Sequence, residues 1–173
     1  PRQVAISGAR RAEPRLTCVV ISQPMYLPWV GFLAQLSLAD VVIWLDDAQF
    51  SKGSFTNRVQ VPKADGTGWI SIPLEGKGSH RAISELAPAQ DDWVARHRST
   101  LRNLYGQSPH FPEIEGIMDH VAGAPSVSEA IIASSEALAR AVGLSLPDAP
   151  RSAQMGVDGH GSDRVLRLGK GMG

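Results

Sequence analysis

The chain has 173 residues, 43% hydrophobic and 20% charged, the proportions of an ordinary globular domain with one core. Lysine plus arginine equals aspartate plus glutamate at 17 each, so the formal net charge is zero. That balance removes the electrostatic case for nucleic acid or an anionic membrane as the main partner.

The single cysteine, Cys18, excludes an internal disulfide and fits a reducing compartment, so a cytoplasmic location is expected. Membrane insertion is not expected, because the longest apolar run, residues 41–45, is far shorter than a spanning helix. Arg10, Arg11 and Arg15 precede a second apolar run, but it is too short for a signal peptide and leads into Gln23-Pro24. A start on Pro1 and an end on Gly173, in what reads as a helix just begun, suggest an incomplete chain.

Residues 1–15 carry basic side chains and little apolar pattern, and read as a disordered tail before a single domain over 16–173. Residues 17–21 form a continuous, largely β-branched run, as in a strand buried on both faces. Such a strand would bury Cys18 in a structural role. Pro24 and Pro28 stiffen the following turn, and Pro28 suits the first turn of a helix to about Ala39. Residues 41–45 are a second buried strand, so the start is a βαβ unit with parallel strands.

Residues 59–61 and 69–72 flank a glycine-rich turn and predict a β-hairpin. The second half reads as mainly helical. Asp91 or Asp92 opens a helix to Tyr105 with Gly106 at its end, and Ser126 to Glu129 form a capping box. Residues 147–150 read as a linker, and Ser162-Asp163 as the cap of a last helix. The expected fold is α/β: a small, mixed, partly parallel sheet followed by helices.

Three places can carry chemistry. Gln23 and Tyr26 lie between the carboxyl end of a strand and a helix N-terminus, where α/β sheets bind ligands and phosphate finds free N–H donors. The alternative for the aromatics of this turn is to close the core. Asp46 and Asp47 follow the second strand and are candidates for holding a ribose hydroxyl, a metal or a reacting proton. Gln49, Lys52, Asn57 and Arg58 follow them, the two cations suited to phosphate or carboxylate. A solvated turn is the alternative. His97 shares a helix face with Trp93, Leu101 and Tyr105 and is either a general acid or base, or a packed histidine bonded to a carbonyl. The glycine-rich 156–161 segment before the last helix is a weaker anion-binding candidate. Scattered histidines specify no metal site, and no cofactor is indicated.

Taken together, Gln23-Pro24-x-Tyr26-Leu27-Pro28-Trp29-x-Gly31-Phe32, Ala39-Asp40, and Asp46-Asp47-x-Gln49-Phe50-x-Lys52-x-x-Phe55-x-Asn57-Arg58 resemble the WbqC-like family. Trp93, His97, Leu101, Tyr105, Pro109-x-Phe111 and Gly161-Ser162-Asp163-Arg164 extend the resemblance to the end of the chain. Family members typically continue into a further strand and a Ser-Gly-containing loop. The resemblance implies a group-transfer step in bacterial surface-glycan (O-antigen) or related small-molecule biosynthesis. It also implies a sugar-nucleotide or otherwise phosphorylated small molecule as partner. A non-catalytic accessory protein of such a pathway, or an inactive truncated copy, is the alternative.

Overall fold

A computed structural model of the chain describes residues 17–172 apart from Ser79 and Asp148. The tail expected at residues 1–15 lies outside the described residues. The βαβ start is present. Strand β1 (Val19–Ser22) and strand β2 (Val41–Trp44) pair in parallel, Val19 opposite Val41 and Ser22 opposite Trp44. Helix α1 (Val30–Ser37) connects them and buries Phe32, Leu33 and Leu36, the spacing of one helix face. On the other edge of β2, the Trp44 N–H donates to Pro150 O at 2.9 Å, and Trp44 forms a parallel bridge with Arg151. Pro150, the end of the segment expected as a linker, thus lies beside β2.

Strands β3 (Arg58–Lys63) and β4 (Gly66–Ser71) form the hairpin, as a two-stranded sheet of their own. The parallel and antiparallel pairings are therefore carried by separate small sheets. Helices α2 (Trp93–Tyr105), α3 (Phe111–Ala122), α4 (Val127–Ala141) and α5 (Gly161–Lys170) make up the second half. Ser126 Oγ accepts from the Glu129 N–H at 3.2 Å, one half of the expected capping box, while the Glu129 carboxylate accepts from Arg151 Nη1 at 2.8 Å instead of closing the other half. The cap expected for α5 is not made. Ser162 and Asp163 fall inside its first turn, and His160 holds the N-cap position without a side-chain bond. Cys18 precedes β1 and is exposed, because the first ladder position is Val19.

Helix α4 joins two cores. Its Ile131 packs into the large cluster beneath the hairpin, with Tyr26, Ile72, Trp93 and Met118. Its Ile132 packs with Phe32, Leu36, Val42 and Trp44 on the parallel pair. Two buried serines on the same helix hold the β1–α1 turn. Ser134 Oγ accepts from the Leu27 N–H at 3.0 Å, and Ser135 Oγ donates to Met25 O at 2.6 Å. Leu27 sits in the left-handed region at φ 45°, a conformation that costs about 1–3 kcal/mol for a non-glycine residue and persists where neighbours over-determine it.

Candidate functional site

The two aspartates after β2 do different work. Asp46 is buried, and its Oδ1 accepts from the Ala153 N–H at 3.0 Å. Its backbone carbonyl accepts from the Ser84 N–H at 2.7 Å. A carboxylate in this position fixes the short 3₁₀ turn Ser152–Gln154 against the end of β2. Asp47 is less buried and shares the Ser152 hydroxyl with Asp46, whose Oδ1 lies 3.3 Å from it. Its Oδ1 accepts from Ser152 Oγ at 2.6 Å and from Arg164 Nη1 at 2.8 Å, while Oδ2 accepts from Arg164 Nη2. This is a two-pronged guanidinium–carboxylate pair, with side-chain exposures of 15% for Arg164 and 24% for Asp47. Desolvation pulls the Asp47 carboxyl upward, and the Arg164 and Ser152 hydrogen bonds outweigh it, so the group titrates below its ordinary value. Arg164 Nε also donates to Val157 O at 2.8 Å, which draws the 156–161 segment over the end of β2.

The result is an open cavity of about 1060 Å³ beyond the carboxyl end of β2. One wall is Asp47, Ala48 and Gln49; the other is residues 157–162 with Arg164, Val165 and Leu166 of α5. Gly156, Gly159 and Gly161 all have positive φ, which lets the loop fold back at the helix start. Asp47 and Arg164 neutralise each other, leaving Asp158 as the remaining full charge of the wall. His160 is exposed there, its imidazole without a hydrogen-bond partner among the described residues. Sequence reasoning passed over His160 and Arg164 as site residues. Their only local signal was the glycine-rich loop, and the pairing partner of Arg164 is 117 residues away.

The other candidates separate. His97 is only 6% exposed, and Tyr26 is fully enclosed. His97 Nε2 lies 3.1 Å from Ser71 O, an acceptor, so Nε2 carries the proton and Nδ1 accepts from the Tyr26 hydroxyl at 3.0 Å. Trp93 packs edge-on against the imidazole, with ring centroids 5.2 Å apart. Burial pushes the His97 pKa down to about 4, against a smaller upward pull from the Ser71 carbonyl. Burial also pushes the Tyr26 phenol up. The geometry is that of the packed histidine. The substrate contact expected of Tyr26 is not available, because the ring closes the core.

Asn57, Arg58 and Lys52 line a second, smaller cavity, of about 350 Å³, and do not share the first with Asp47 and Gln49. Asn57 Nδ2 donates to Ile72 O at 3.0 Å, so this side chain is spent on closing the hairpin. Gln23 is half-buried after β1. Among the described residues there is no cluster of three or more His, Cys, Asp or Glu able to hold a metal. No helix among them is long and apolar enough to cross a membrane.

A profile described as the WbqC-like protein family matches residues 23–173, which contain both cavities. The chain belongs to the WbqC-like family. It is similar to the Mycobacterium tuberculosis protein named "Uncharacterized protein Rv1507c", 34% identical over 97 residues, which are 56% of this chain and 42% of the relative. The chain thus spans less than half the length of that curated relative. No solved structure matches. The residues that carry the family resemblance fall on the β1–α1 turn and start of α1, on Ala39-Asp40 before β2, on the 46–58 stretch between the cavities, on α2 and the turn after it, and on the start of α5.

Proposed function

We propose that this WbqC-like chain carries the small-molecule site of a group-transfer enzyme of bacterial surface-glycan or related metabolite synthesis, working in the cytoplasm with a nucleotide-containing or phosphorylated donor. The observation that supports this reading is the cavity at the carboxyl end of β2, where open α/β sheets bind their ligands. The charge of its wall suits the hydroxylated, uncharged part of a sugar-like substrate. Asp47 is held ionised by Arg164 and acts as a positioning residue for the α5 wall. Gln49 offers both a donor and an acceptor to a substrate hydroxyl. His160 is the imidazole with access to the cavity and takes the proton-carrying role that the enclosed His97 cannot reach.

The reading is tested by titrating isotope-labelled protein with a panel of nucleoside-diphosphate sugars and following backbone amide shifts. Saturable shifts at Ala48, Gln49, Gly159 and Gly161 are expected. Absence of shifts, or shifts confined to other regions, sinks it.

A second reading, the accessory protein, draws on one observation. Helix α1 carries no charged residue, and Trp29, Val30 and Leu38 are 61%, 79% and 77% exposed. Exposed apolar side chains at both ends of an uncharged helix suit contact with another protein. Under that reading Val30→Glu abolishes complex formation while the cavity residues can be changed without effect.

A further inference from the structure

We infer that the smaller cavity is an anion site for a phosphoryl group, and that Lys77, which no sequence signal singled out, is one of its three cations. Lys52, Arg58 and Lys77 surround the cavity, together with Phe50, Asn57 and Ser71, and no aspartate or glutamate lines it. None of the three cations has a carboxylate partner among the described residues. In a chain of net charge zero this is a local concentration of uncompensated positive charge.

Arg58 is held in place without being neutralised. Its Nη2 donates to Gly53 O, its guanidinium stacks 4.1 Å from the centroid of the Trp69 ring, and its Nε is buried without a partner. A guanidinium fixed against an aromatic face and left uncompensated is arranged for an acidic ligand.

Lys77 is placed by backbone strain. Gly76, Lys77 and Gly78 lie consecutively in the left-handed region, at φ 55°, 57° and 64°. A Cβ at Gly78 would meet Phe50 Cδ1 at 2.7 Å, so the turn lies directly against this ring and needs glycine at that position. A lysine in the left-handed region costs stability that glycine would recover. Three like charges about one small cavity repel one another until an anion enters. A phosphate monoester or the diphosphate of a nucleotide donor has the charge, size and acceptor oxygens to do so. The anion site stands on these observations alone; that the phosphate belongs to a transfer donor rests on the proposed function.

The test uses inorganic phosphate and pyrophosphate, titrated by calorimetry at low salt. Saturable binding in the millimolar range or tighter is expected. Lys77→Gly should weaken it about tenfold or more while melting no lower than the parent, since it removes charge and strain together. Lost binding in a variant of undiminished stability excludes unfolding as the cause. Lys52→Gln should weaken binding comparably, and Lys63→Gln at the hairpin tip should not. No saturable binding of either anion, or binding unchanged in Lys77→Gly, overturns the inference. Phosphate binding that survives while nucleoside-diphosphate sugars leave the larger cavity unperturbed would retain the anion site and reject the transfer reading.

Discussion

Replacing Asp47 with Asn probes how the larger cavity is held together. The substitution keeps size and one acceptor oxygen but removes the charge that pairs with Arg164, whose side chain is only 15% exposed. Breaking a buried pair by removing one partner costs about 3–5 kcal/mol. Asp47 retains some solvent contact and Asn retains the Ser152 bond, so about 2 kcal/mol is the expected loss. For a chain of this size that lowers the midpoint of a thermal melt by about 4–8 °C. The pH dependence gives a second readout. The folded carboxyl titrates below its ordinary value of 3.8, so its contribution is complete above that value and is lost as pH falls through the lower folded pKa. The gap between parent and Asp47→Asn should therefore be full at neutral pH and close in strong acid. Equal midpoints at neutral pH, or a gap that persists below the folded pKa, would refute the pairing as the tie between β2 and α5.

His97→Gln should lower the melting temperature by several degrees, because the flexible amide does not place its donor and acceptor at the two ring-nitrogen positions and loses the ring packing against Trp93, while ligand shifts at Gln49 and Gly159 stay unchanged. With a folded pKa of about 4 against 6.5, His97 contributes stability that is complete above pH 6.5 and fades toward pH 4. The effect amounts to about 3 kcal/mol at most, and pH-dependent denaturant melts of His97→Gln should show a flatter decline over that window. Ser135→Ala leaves Met25 O without its buried donor and should cost about 1–2 kcal/mol in denaturant melts. Gly78→Ala forces a Cβ onto the Phe50 ring at positive φ; a loss of about 2 kcal/mol is expected, and an unchanged midpoint would show that the turn relaxes freely.

The elements legible in the sequence are those whose pattern is local. The apolar runs at 17–21 and 41–45 specified the parallel pair, and the glycine-rich turn marked the hairpin. Asp92, Gly106 and Ser126 stand at the helix ends where capping logic puts them. Helix α3 went unread, although Pro112 in its first turn and the spacing of Ile114, Ile117, Met118 and Val121 mark an amphipathic helix. The site was less legible because its defining contacts are distant in sequence. Asp47 meets Arg164 across 117 positions, and His97 meets Tyr26 across 71. The adjacent aspartates after β2 are legible as a polar pair, but nothing local shows that Asp46 would be buried and Asp47 claimed by a helix near the end of the chain. Nor does any propensity announce that Lys77 adopts a left-handed backbone between two glycines that share it.

The central claim, that the cavity beyond β2 holds a small-molecule substrate, is tested most directly by native mass spectrometry after exposure to a bacterial metabolite extract. The protein is compared with a Gln49→Ala, His160→Ala double variant of equal thermal stability. The account predicts that the parent retains a sugar-like or sugar-nucleotide metabolite and that the variant releases it. Equal retention by both proteins, or no retained metabolite in the parent, would contradict it.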